Sequence, residues 1–238
     1  MTAVAQQRID FEGTVVIAYY GVLESLKLGG IELRNIPVGW SEYESGEDAT
    51  TGSDGMLTTW VFYHFLTTFD YAGRSLILRR RTPETAAKAR ADAKRAGAAP
   101  LPLWLVADHY LHSTGSVAGD IGSGQQVLGV DFGGQSGEAV GGLNGDTAER
   151  LQVRVDLDRP LETFGHSTAT VVAPCYPKEI RLGEAVAKDV HCFSNPADSV
   201  AGYEFDAPAH LDHCFFKPYD ITLDFTDMNL YITRGKAG

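Results

Sequence analysis

The residues best placed to do chemistry in this chain are Asp131 and Gly133, within Val127-Leu128-Gly129-Val130-Asp131-Phe132-Gly133-Gly134. An apolar run that reads as a strand ends in Asp-x-Gly, so a carboxylate is presented at a sharp turn on a rigid support. Two such carboxylates facing each other can share a proton. Repulsion between like charges keeps one protonated, so one acts as base on a water while the other donates. An Asp before Gly after a strand is also an ordinary turn, and the pattern alone leaves both readings open. Gly145-Asp146-Thr147-Ala148 offers a rival carboxylate at Asp146. Leu143-Asn144-Gly145 is a poor supporting strand, so a loop is expected there and Asp146 ranks below Asp131.

Other chemistries find weaker footing. His191-Cys192 and His210-x-Asp212-His213-Cys214 bring metal-ligand types into two short stretches. Neither has a compact Cys-x-x-Cys or His-Glu-x-x-His spacing, and adjacent His213 and Cys214 point different ways on a regular element. Gly165-His166-Ser167 is not a nucleophile elbow. The glycines from Gly133 to Gly137 and at Gly141-Gly142 do not sit between a strand and a helix, which argues against a phosphate cradle. Cys175, Cys192 and Cys214 make an odd count, compatible with one bridge but not with a disulfide framework.

The elements that must position these residues recur along the chain. Lys27-Leu28-Gly29 returns as Arg181-Leu182-Gly183, and Phe69-Asp70-Tyr71 as Leu223-Asp224-Phe225, both at an offset of 154 (182 − 28 and 224 − 70). Leu57 meets Leu211, Phe62 meets Phe216, Thr68 meets Thr222 and Arg80 meets Arg234 without a gap. Fixed-period self-similarity marks repeated units. Each copy reads as a short strand (26–28, 180–182), a glycine turn, a second strand (31–38, 185–191) and a polar loop. A brief helical segment (59–65, 213–216) and a closing hairpin through residues 71–74 or 225–228 follow. Asp70 and Asp224 recur at matched positions, where a structural turn role is expected. Between the copies, Thr82 as N-cap, Pro83 in the first turn and the Ala, Lys and Arg of residues 84–96 predict a helix that stops at Gly97. Its basic residues read as a solvated face.

The second copy has an opening half of strands at 103–106, 110–117 and 126–130, with further β candidates at 152–157 and 167–173. Subtracting 154 from 131 gives a negative number. The matching half of the first copy would therefore precede Met1, either lost or belonging to a longer protein.

Apolar content of 44% and charged content of 21% are those of an ordinary globular chain rather than a disordered one. A net charge of −11 argues against nucleic acid, whose phosphates it would repel. No run is long and apolar enough to span a membrane as a helix, and residues 1–12 lack an export-signal pattern, although an upstream signal is compatible with a missing first half.

The stretch from Asp54 to Tyr71 resembles the closing part of bacterial retropepsin-like aspartic peptidase domains, which show a Gly-apolar-apolar-Gly segment, a short aromatic helix, then an F-x-Asp-aromatic strand and an apolar hairpin strand. Leu103-Trp104-Leu105-Val106 through Gly115-Ser116-Val117-Ala118-Gly119 is similar to the family's opening hairpin. The resemblance implies a mainly β, retropepsin-like acid-protease barrel, one complete copy plus a half copy, joined by an α-helical linker. The expected domains are 1–81, the linker 82–99, and 100–238. It implies an aspartic endopeptidase or a catalytically degenerate relative acting on a peptide or protein substrate without a cofactor. Asp131 falls on the catalytic Asp, with Phe132 and Gly133 completing the active-site turn. Phe132 stands where the family has a Thr whose hydroxyl supports the opposite lobe, and Thr58 and Asp212 stand at the closing segment's second Gly. The first copy supplies no partner carboxylate. Homodimerisation through the second repeat, or an upstream segment, would have to bring one. A non-catalytic peptide- or protein-binding β module is the competing expectation.

Overall fold

A computed structural model describes residues 3–11, 14–41, 57–107, 113–122, 124–133, 137–165, 168–195 and 209–235. These residues are mostly strand, as expected of a mainly β chain. Contacts divide the chain into a smaller unit (residues 1–56 with 164–169) and a larger one (57–163 and 170–238). The larger unit thus runs across the boundary expected at residue 81.

In the smaller unit, β1 (Ala3–Phe11), β2 (Thr14–Leu28) and β3 (Ile31–Ser41) form an antiparallel meander. Gly29, with φ +57°, turns β2 into β3, where the left-handed backbone favours a residue without Cβ. Tyr19 and Trp40, opposite each other, stack with ring centroids 5.7 Å apart.

The larger unit begins with α1 (Thr59–Phe62), β4 (Phe65–Asp70), β5 (Ser75–Arg80) and α2 (Pro83–Arg95). Thr82 and Thr85 form a capping box at the start of α2. At its end Gly97 N donates to Lys94 O and Ala98 N to Ala93 O, the paired bonds of a Schellman stop. The helix is more than a linker. Ala93 and Ala98 pack on Tyr231, and Arg90 pairs with Asp227.

The opening strands β6 (Leu101–Ala107), β7 (Ser113–Ile121) and β8 (Gly124–Val130) are antiparallel. Then come β9 (Gly141–Asn144), α3 (Gly145–Arg150), β10 (Arg154–Val155) and the β11 (Leu161–Gly165)–β12 (Thr168–Tyr176) hairpin. After β13 (Glu179–Leu182), β14 (Ala185–Lys188) and β15 (Cys192–Asn195), the chain closes with β16 (Ala209–Leu211), α4 (His213–Phe216), β17 (Tyr219–Asp224) and β18 (Asn229–Arg234). The expected strand at 152–157 shrinks to two residues, and that at 185–191 breaks at Asp189, whose φ of +52° leaves the extended region.

The offset of 154 holds at the level of backbone. β4 and β5 fall on β17 and β18, and α1 falls on α4 (65 + 154 = 219, 75 + 154 = 229, 59 + 154 = 213). Positive φ angles recur in register at Gly29 and Gly183, Asn35 and Asp189, and Arg74 and Met228. β4 and β17 pair antiparallel with Thr68 opposite Thr222, and the two hydroxyl oxygens are 2.9 Å apart. Matched residues therefore meet at a local twofold axis in the ladder β5-β4-β17-β18-β6.

The core is built from the second half of the chain: Val117, Leu128, Leu182, Leu211, Phe216, Ile221 and Leu230 are each fully buried. Cys175 and Cys192, opposite each other on β12 and β15, form a buried disulfide. The polar loops at 42–56 and 196–208 lie outside the described residues, as do residues 134–136 and 166–167.

Candidate active site

Asp131 follows the last residue of β8, a strand hydrogen-bonded on both sides. β7 flanks it antiparallel and β16 parallel, and Asp131 N donates to Leu211 O at 2.9 Å. β16 is in turn held by β9. Gly141 and Gly142 make that approach feasible. A Cβ on Gly141 would overlap the His210 carbonyl, one on Gly142 would overlap the His210 ring, and Gly141 has φ +152°. These glycines permit close strand contact rather than anion binding.

The side chain of Asp131 is exposed, and Gly133 N donates to its Oδ1 at 3.1 Å. That bond folds the turn back on the carboxylate, as an Asp-initiated turn does. Phe132, at the centre of the turn, sits in an aromatic cluster. Its ring stacks on Phe69 of β4 at 4.8 Å and 23°, and tilts against Phe216 of α4 at 5.0 Å. Phe69 also meets Phe62 of α1 edge-on at 5.4 Å. The turn is thus gripped by a segment about sixty residues earlier (132 − 69 = 63) through ring packing.

Tyr71, just past β4, completes the support. Its hydroxyl donates to Phe132 O at 3.1 Å. Burial, and secondarily the negative charge of Asp131, push the phenol well above its usual range, so it stays protonated and donating. Sequence reasoning did not single out Tyr71, because a contact spanning 61 residues has no local signature.

The remaining candidates take other roles. Asp146 is exposed in the first turn of α3, correcting the loop expected there. Leu143 and Asn144 belong to a true strand, because β15 and β16 supply the pairing that their sequence does not advertise. Asp70 Oδ1 accepts from Gly73 N at 2.5 Å, and buried Asp224 accepts from Thr226 N and Asp227 N at 3.0 and 3.4 Å; both shape hairpin turns. Cys192 is committed to a disulfide, which takes its thiol from any metal set with His191. His210 Nε2 lies 3.5 Å from Oδ1 of buried Asp212, and no cluster of three or more ligand side chains occurs among the described residues. Gly133 and Gly137 flank the undescribed residues 134–136 in sequence, and Cys214 Sγ lies 3.2 Å from Gly137 O.

No protein-family model matches the sequence, and no curated protein does. Among solved structures, a retropepsin-like aspartic protease from Rickettsia conorii aligns over 58% of this chain and 96% of its own length, with 12% identity and a TM-score of 0.36. Likeness at that level carries no inference about fold or activity.

Proposed function

We propose that this chain is a retropepsin-like scaffold built on a tandem repeat and carrying one half of an aspartic-peptidase site, with Asp131 as the carboxylate that activates water. The observation that carries the reading is the exposed Asp131-Phe132-Gly133 turn, set at the end of a doubly paired strand and braced by the matched segment of the other repeat. A nucleophilic water needs a base with a fixed position and an open face. Asp131 has its open face toward solvent and its Oδ1 fixed by Gly133 N.

A lone carboxylate cannot share a proton with itself, so turnover requires a second one opposite Asp131. Homodimerisation through the second repeat would have to displace β4 from the β17 edge, where it already pairs. We therefore assign the second carboxylate to a further strand-Asp-x-Gly turn that packs beside the first repeat and faces Asp131. The substrate would be an extended peptide or protein segment. Asp146, on an exposed helical turn, is the less favoured alternative base.

A second reading, peptide binding without hydrolysis, is favoured by Phe132, whose ring occupies the position of a supporting hydroxyl. The discriminating experiment is cleavage of an extended peptide library at mildly acid pH by the chain and by Asp131→Asn, each supplied with a segment of residues 99–133 as the opening half. Activity lost in the variant supports the peptidase reading. Equal turnover in both proteins overturns the role of Asp131, and binding without cleavage by either selects the second reading.

A further inference from the structure

The local twofold axis leaves one place in the sheet unfilled. On one side of the axis, β18 has β17 as its inner neighbour and β6 as its outer neighbour, with Asn229 opposite Pro102 and Leu230 opposite Leu101. On the other side, β5 has β4 as its inner neighbour and, among the described residues, no outer one. Leu103 N donates to Met228 O at 2.9 Å. Since backbone groups alternate in direction along a strand, the even-numbered residues of β18 face β6. Their counterparts on β5, Leu76, Leu78 and Arg80, therefore turn their N–H and C=O groups to the open edge.

Side-chain burial tells the same story independently. Leu230 is fully buried beside β6, and its counterpart Leu76 is 44% exposed. Leu211, beside β8, is 1% exposed, and its counterpart Leu57 is 41% exposed. Both are apolar residues covered where β6 or β8 lies beside them and uncovered where no described strand does. An open strand edge next to exposed leucines is a template for strand addition. Exposed Arg79 and Arg80 near one end oppose β5 pairing with another β5, because each copy would add its own cations.

We propose that the outer edge of β5 docks an extended apolar strand with the chemistry of Leu101-Pro102-Leu103, presented by a partner polypeptide. The docked strand runs antiparallel to β5, bonds to the Arg74 carbonyl and to Leu76 as β6 does to Met228 and Leu230, and covers Leu76 as Leu101 and its neighbours cover Leu230. This inference rests on the twofold relation between matched elements and not on hydrolysis at Asp131, so it survives if the chain proves catalytically silent.

The test uses the full chain and a synthetic peptide of residues 99–107, which contains β6, with a scrambled peptide as control. Binding is read by fluorescence anisotropy, and hydrogen exchange is read at individual amides. The expected result is 1:1 binding, with exchange at the Leu76 amide slowed at least about tenfold by the peptide and not by the control. Leu76→Lys, at an already exposed position, should keep the fold and weaken binding by about tenfold or more, as a charge beside an apolar strand would. Three results would overturn the proposal: peptide and scramble binding alike, the Leu76 amide already protected in the free chain, or concentration-dependent self-association that protects β5 without peptide.

Discussion

If the matched early segment supports the Asp131 turn, Phe69 and Phe132 must be energetically coupled. Their rings stack at 4.8 Å and 23°. A half-buried phenylalanine truncated to alanine should cost less than a fully buried one, about 2–3 kcal/mol for Phe132→Ala. Phe69→Ala should cost a similar amount, since Phe69 also contacts Phe62. The informative quantity is the coupling between them. A stacked pair contributes about 0.5–1.5 kcal/mol beyond area, so the double variant should be less destabilised than the sum of the singles by that amount. Phe216, which touches Phe132 from α4, is present in all four proteins and cancels from the cycle. Equilibrium urea unfolding of the wild type, both single variants and the double variant gives the answer. A coupling below about 0.3 kcal/mol is ordinary additivity and would refute the claim that the early segment braces the turn.

Other expectations follow from the same geometry. Tyr71→Phe removes the bond to Phe132 O and should cost about 0.5–1.5 kcal/mol at neutral pH, measured by denaturation. Because the folded phenol's pKa is raised, the unfolded chain releases that proton first. Tyr71 thus contributes stability that is intact below about pH 10 and lost as pH climbs above it, and Tyr71→Phe should flatten that alkaline decline; an unchanged decline would exclude Tyr71 as its source. Gly141→Ala forces a Cβ into the His210 carbonyl and should destabilise by about 2 kcal/mol or more, with a wild-type melting curve as the contrary result. Thiol titration of unfolded, unreduced protein should find one reactive cysteine, Cys214, and reduction of the Cys175–Cys192 bridge, 17 residues apart, should cost about 3 kcal/mol; three reactive thiols before reduction would contradict the pairing.

Much of the architecture was legible because periodicity at 154 does not depend on propensity. It located α4 and both closing hairpins, and Thr82-Pro83 with Gly97 marked the ends of α2 nearly to the residue. What stayed hidden was set by distant partners. β1 and most of β2 escaped notice because Ala3–Phe11 carries polar residues on a strand whose pairing comes from β2, not from its own apolar pattern. Its counterpart at the same offset, β11, which ends at 165 (11 + 154), was equally unmarked in the sequence. The disulfide required the register that sets Cys175 opposite Cys192. At the site, Asp131 and Gly133 were readable as a strand-end turn. The support from Phe69 and Tyr71 was not, because these contacts close only when β4 joins β17.

The claim at the centre of this account is that Asp131 is a water-activating carboxylate that works when a second one faces it. The most direct measurement is peptide cleavage at mildly acid pH, comparing the chain with Asp131→Asn at equal concentration, each supplied with the opening-half segment of residues 99–133. The account predicts cleavage by the wild-type chain once an opening half is present, and its loss in the variant. Equal cleavage by the two proteins would contradict it.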